Sequence, residues 1–252
     1  MATHRARSAF PSFVRTASLA VSFGLSGWLG VGCGQKDPAP PAPELSVYHP
    51  LVDGSWWEYA HNDWTERVEL SAGATADGEP AFTMVDSPNP SDRLRSDSII
   101  ASVDGRVVRL AKEEFLVGTG GAEVPTSSVT YGVGFTRFNE DWANQAVGYK
   151  ETPEYVRVET PPGAPARPAE GRRHTFEIMS LSERVVTGIG TFDCIVIKRT
   201  KDWQAEEEGV DLSDAETKTF WFARGVGKVQ ERNEETMNTE VLIDYSIPGA
   251  GG

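Results

Sequence analysis

Cysteine is nearly absent from this chain: Cys33 and Cys194 are the two that occur in 252 residues. A disulfide-stapled scaffold is therefore excluded, and apolar burial must hold the core. Long apolar runs are lacking too. Ala17 to Val31 offers 15 uncharged residues, whereas a helix crossing roughly 30 Å of hydrocarbon needs about 20. Positive charge is scarce, with 24 Lys and Arg against 37 Asp and Glu and a formal net charge of −13. Arg5, Arg7 and Arg15 all precede Cys33 and no acid does, so the part after the cysteine carries 21 basic and 37 acidic residues. So acidic a surface repels nucleic acid and anionic headgroups, and no basic stripe offsets it.

Catalytic signatures are missing as well. No G-x-S-x-G elbow follows Cys33, and neither a G-x-x-x-x-G-K-[ST] loop nor H-E-x-x-H occurs. Cys194 lies in Phe-Asp-Cys-Ile-Val-Ile, where apolar surroundings raise a thiol pKa and leave it inert. His61 and Asp63 together offer two metal ligands, fewer than a site requires. The acids from Glu206 to Glu216 lack the D-x-D-x-D-G turn of a calcium loop and read as a solvated loop. The expectation is a chain without catalytic residues, metal or cofactor.

What is present begins with a compartment signal. His4, Arg5, Arg7 and Arg15 precede the short apolar run, and small residues lead to a cysteine in Leu29-Gly30-Val31-Gly32-Cys33. A basic start, a short apolar centre and small residues before a cut describe an export signal. The segment resembles bacterial lipoprotein signals, with Gly32 as the small residue before Cys33 and Gly30 where such boxes usually have Leu. The resemblance implies that residues 1–32 are a removed signal peptide and that Cys33 becomes the lipidated first residue, carrying diacylglycerol and an amino-terminal acyl chain such as palmitate. Several chains hold a protein stably where one holds it marginally. Gly34 is not the Asp that resembles an inner-membrane retention signal, which favours the outer membrane, facing periplasm or cell exterior. Residues 33–44 then run into D-P-A-P-P-A-P, an extended spacer at about 3.1 Å per residue.

From residue 45 to 248, short β-branched and aromatic runs alternate with Gly, Pro, Asn and Asp clusters, which reads as a β domain. In "SIIASVDGRVVRLAKE", Asp104-Gly105 between apolar runs suits a two-residue type I′ hairpin. Further strands are expected at Trp56 to Ala60, Trp64 to Leu70, Ala81 to Val85, Ser128 to Phe138, Glu154 to Glu159, Thr175 to Leu181, Phe192 to Arg199, Thr217 to Phe222, Lys228 to Arg232 and Glu240 to Ile247. A short helix fits Glu140 to Val147. The proline-rich stretch 161–171, "PPGAPARPAEG", reads as a long loop within one domain, and 249–252 as a flexible tail.

Three fragments, "YHPLVDGSWWEY", "GIGTFDCIVIKR" and "FWFARGVGKVQ", resemble motifs of uncharacterised exported bacterial lipoproteins. The resemblance implies a curved antiparallel sheet akin to the half-barrels of lipoprotein carriers, and no activity. The fold expected is thus mainly β, a half-barrel or sandwich with few short helices. Trp56, Trp57, Tyr59 and Trp64 are the binding candidates, with alternation placing Trp57 and Tyr59 together and Trp56 opposite. The reading that follows is a non-enzymatic cell-envelope lipoprotein with a binding or structural role. Its sheet would shelter an acyl chain, as a lipid carrier does, or meet another envelope protein. An envelope hydrolase acting on glycan or ester is the competing class.

Overall fold

The computed structural model describes residues 46–76, 79–203 and 216–249. Cys33, its signal and spacer, and most of the acidic stretch Glu206 to Glu216 lie outside the described residues. Thirteen strands follow in order: β1 (Trp56–Ala60), β2 (Thr65–Ala76), β3 (Glu79–Asp86), β4 (Leu94–Val103), β5 (Arg106–Val117), β6 (Glu123–Asn139), β7 (Lys150–Glu151), β8 (Glu154–Thr160), β9 (Glu170–Thr187), β10 (Gly190–Trp203), β11 (Thr217–Ala223), β12 (Gly227–Asn233) and β13 (Thr239–Ser246). One 3-10 helix, Glu140–Asn144, interrupts them.

Every pairing is antiparallel, running β10-β11-β12-β13-β1-β2-β3-β4-β5-β6-β8-β9. Pairing of β9 with β10, from Gly190 opposite Thr187 to Trp203 opposite Arg172, closes the circuit. Twelve strands therefore form a closed barrel, with the two-residue β7 lying along β9 beyond β8. The mainly β, antiparallel architecture is as expected, and the closed barrel is more specific than the expected half-barrel or sandwich. Closure removes the exposed edges that an open sheet would present, and alternation within each strand carries no record of which edges finally meet.

The β4–β5 hairpin turns at Asp104 (φ 49°) and Gly105 (φ 74°), both in the left-handed region that the type I′ geometry needs. Residues 161–169 form the loop of the β8–β9 hairpin. Cys194 is completely buried, and its thiol is pushed up to about 12 by burial and then by Asp193 and Glu183.

Barrel width grows with strand number, and eight strands already enclose a space that side chains just fill. A twelve-stranded barrel must therefore be plugged or remain hollow. One end here is plugged. Residues 46–51 cross it, with the Ser46 hydroxyl donating to Glu140 and Gly225 N donating to the Val47 carbonyl at 2.6 Å. The 3-10 helix inserts Trp142, which is 1% exposed and donates its indole N–H to Glu151 at 2.7 Å. Phe138 stacks on Tyr48 (5.4 Å between centroids) and meets Trp142 (5.3 Å) and Phe222 (4.8 Å) edge-on.

Candidate functional site

Residues facing the lumen change character along each strand. On β9 they run Ile178, Phe176, His174, Arg172, Glu170, and on β11 Phe222, Phe220, Lys218. The register aligns these gradients: Ile197 pairs with Ile178 and Phe220, and Arg199 with Phe176 and Lys218. Apolar side chains thus sit over the plug and charged ones fill the rest. The cavity they line is about 720 Å³. Exposure rises away from the plug, from 13% for the Arg199 side chain to 58% for Arg167, so the charged end is the mouth.

Three local irregularities supply wall residues that strict alternation would send outward. The β5–β6 register slips between Arg109 and Ala111, and both Arg109 and Lys112 face the lumen. Opposite them, β6 loops out between Thr130 and Phe135. Gly134 (φ +89°) lies in that excursion, and a Cβ there would stand 2.8 Å from the Val108 Cβ. The β11–β12 slip between Trp221 and Phe222 likewise brings Lys228 and Glu231 onto one wall.

Charge is segregated by this arrangement. Among the described residues, ten Lys and Arg line the cavity against seven Asp and Glu, in a chain with 37 acids and 24 bases. An acidic exterior therefore surrounds a cationic interior.

Along one wall the charges are paired. Lys228 bonds Glu240 and lies 2.9 Å from Glu231, while Lys218 lies 2.9 Å from Glu231 and 3.1 Å from Glu216. Burial opposes ionisation of Glu231, but Lys228 and Lys218 hold its carboxyl well below the usual range. Glu66 lacks such a lysine bond. Burial, and then the nearby Glu240, raise it to about 8, so it carries a proton at neutral pH. One ligand atom each from His61, Glu66 and Glu240 lies within 4.8 Å of the others. Lys228 already supplies a cation to Glu240, and a proton on Glu66 removes the remaining repulsion. His61 thus meets these two acids at close range, and Asp63, its neighbour in sequence, acts on it as well.

Across the lumen three arginines lack a close carboxylate partner. Among the described residues, no carboxylate lies within 4.0 Å of the Arg109 or Arg137 guanidinium, and that of Arg199 reaches Glu216 at 3.9 Å. The Nε atoms of Arg109 and Arg199 are buried without a hydrogen-bond partner. Burial, and then the charge of Arg137, bring Arg109 down to about 10. The same two causes bring His49 down to about 3, so its imidazole is neutral. His174 is also brought to about 3, by burial and then Arg199, and meets the Tyr155 hydroxyl at 3.1 Å.

The aromatic binding candidates do not form one surface. Trp57 and Tyr59 face the lumen, 5% and 4% exposed, with the Trp57 indole N–H donating to the Val226 carbonyl at 2.7 Å. Trp56 lies on the outer wall beneath the Arg67 guanidinium at 4.1 Å. Trp64 stacks on His61 at 4.2 Å in the β1–β2 connection. The arginines, Glu66 and Tyr155 were not singled out from the sequence. The signal that could have found them is the alternate-residue gradient from apolar to charged along β9 and β11.

No protein-family model matches the chain, and no curated protein matches it in sequence. Two solved structures resemble it in fold. One, from Bacteroides fragilis NCTC 9343, bears the provisional name of an exported protein with YmcC-like fold; it is 11% identical, with 80% of this chain and 99% of that one covered, at a TM-score of 0.46. The other, from Parabacteroides distasonis ATCC 8503, bears the provisional name of a lipoprotein; it is 13% identical, with 81% and 100% covered, at a TM-score of 0.45.

Proposed function

We propose that this chain is an exported lipoprotein, anchored through Cys33 at the outer membrane, whose barrel binds a small polar solute without transforming it. The observation that carries this reading is the cavity of about 720 Å³, plugged at one end and walled mainly by charged side chains. That volume lies within the usual range of small-molecule sites, roughly 300–1,000 Å³. The basic start, the short apolar run and the small residue before Cys33 support the anchor.

The lumen speaks against the sheltered acyl chain. An alkyl group there would displace water from paired lysines and glutamates, and stripping hydration from charged groups is costly. The apolar layer that could receive it is occupied by Phe138, Trp142 and Phe222, packed against one another. No Ser, Thr or Cys lines the cavity among the described residues, and Cys194 is buried with its thiol protonated. Both facts support binding over nucleophilic hydrolysis.

The test is native mass spectrometry of the full-length chain extracted from membranes in mild detergent. A polar adduct of a few hundred daltons, released on unfolding, is expected. An acyl-lipid adduct in the lumen would refute the polar reading. Turnover of a glycoside or ester panel, abolished by Glu66→Gln, would overturn the non-enzymatic one.

A further inference from the structure

We infer that Arg109, Arg137 and Arg199 form a binding site for an oxyanion, a carboxylate or phosphate group carried by the solute. The inference rests on the lumen being a binding compartment and names the chemistry that it selects.

The three come from β5, β6 and β10 and converge on Phe135. Arg109 is the register partner of Phe135, and Arg137 lies two residues further along β6. The guanidinium of Arg199 stands 5.6 Å from the Phe135 ring centroid and 5.0 Å from that of Phe220. All three line the same cavity.

Charges withdrawn from water are normally paired. Elsewhere in this lumen they are: Lys228 and Lys218 share Glu231, and Arg157 lies 2.7 Å from Glu159. The contrast is therefore local to the arginines. Asp86, the acid on the adjoining wall, accepts from the Ser96 hydroxyl at 2.6 Å. The two aromatic faces offset part of the charge of Arg199, and Tyr131 and the more distant Asp86 offset part of that of Arg109, but neither supplies a carboxylate in contact with the guanidinium. Burial and then the charge of Arg137 lower Arg109, and burial and Arg137 also lower Arg199 against the pull of Glu231 and Glu216. A ligand carrying two or more anionic oxygens would relieve this repulsion and satisfy the orphaned Nε–H donors. Guanidinium forks match that geometry in a way an ammonium does not. The acidic exterior would slow the approach of such an anion, so the site favours retention over rapid capture.

The test uses the full-length chain in non-ionic detergent, freed of oxyanions. Calorimetric titration and thermal melting with inorganic phosphate and with citrate are compared with potassium chloride at equal ionic strength. At least one oxyanion should raise the melting temperature beyond chloride. Arg137→Gln and Arg109→Gln should each weaken its binding at least tenfold, while Arg67→Gln on the outer wall should not. Arg137→Gln should melt no lower than the parent chain in chloride alone, an outcome a purely structural arginine would not give. The inference is overturned if neither oxyanion outdoes chloride, or if both lumenal variants bind as the parent does. An electroneutral solute retained in the lumen alongside that result would sink the arginine site and leave the binding reading standing.

Discussion

Glu66 shows how one side chain ties stability to pH in this barrel. Burial beside Glu240 raises its folded pKa to about 8, against about 4.3 in an unfolded chain. Its contribution is fully present below the unfolded value and is lost progressively until pH has risen through 8, because between the two values only the unfolded state releases the proton. His49 and His174, brought to about 3, act in the opposite sense. They add stability above the unfolded histidine value of about 6.5, and this is lost as pH falls toward 3. Glu66→Gln, which keeps the shape and cannot ionise, should therefore gain melting temperature over the parent at pH 8 and match it near pH 4.5. An equal offset at both pH values would show that Glu66 does not titrate as described. Cys194 makes a second residue-scale case. Cys194→Ser should cost about 1–3 kcal/mol in urea unfolding, through a buried hydroxyl without a good partner, and the native thiol should resist alkylation until the barrel unfolds.

At the scale of strands, the irregularities matter most. Gly134 and Gly73 both have positive φ, at +89° and +107°, but only at Gly134 would a Cβ strike a neighbouring strand. Gly134→Ala should therefore destabilise more than Gly73→Ala, by about 1–3 kcal/mol against about 1, as read from denaturation midpoints. Equal losses would mean that the β6 excursion yields freely. These same irregularities explain what the sequence disclosed and what it did not. Trp56–Ala60 emerges with the expected bounds, and Asp104-Gly105 turns as its residue types require. Each of these follows from interactions within a few residues. Arg109 and Lys112 are three apart, as are Lys228 and Glu231, so alternation assigns the members of each pair to opposite faces. The register slips return them to one wall. The site was hidden because it depends on where regular pairing breaks. Closure was hidden for a related reason, since the ring depends on β1 pairing with β13, from opposite ends of the domain, and no single strand encodes that.

For the whole molecule, the governing feature is charge placed inside out. Closing twelve strands leaves a lumen too wide for side chains to fill, and the plug of residues 46–51 and Trp142 occupies one end. The remaining space collects ten of the 24 basic residues, while most acids stay outside. The acidic exterior discourages association with anionic membrane surfaces, so the proposed anchoring would rest on a lipid at Cys33. Cys33→Ala should abolish incorporation of labelled fatty acid and shift the protein from the membrane to the soluble fraction. Unchanged labelling would mean that the anchor lies elsewhere. Gly30 of the proposed signal does not bear on the barrel, whose proposed binding role is tested independently of the anchor. The most direct judgement is native mass spectrometry of the full-length chain taken from its own membrane. The account predicts a polar, small-molecule adduct that leaves when the barrel is unfolded. An empty barrel, or one filled by an acyl lipid, would contradict it.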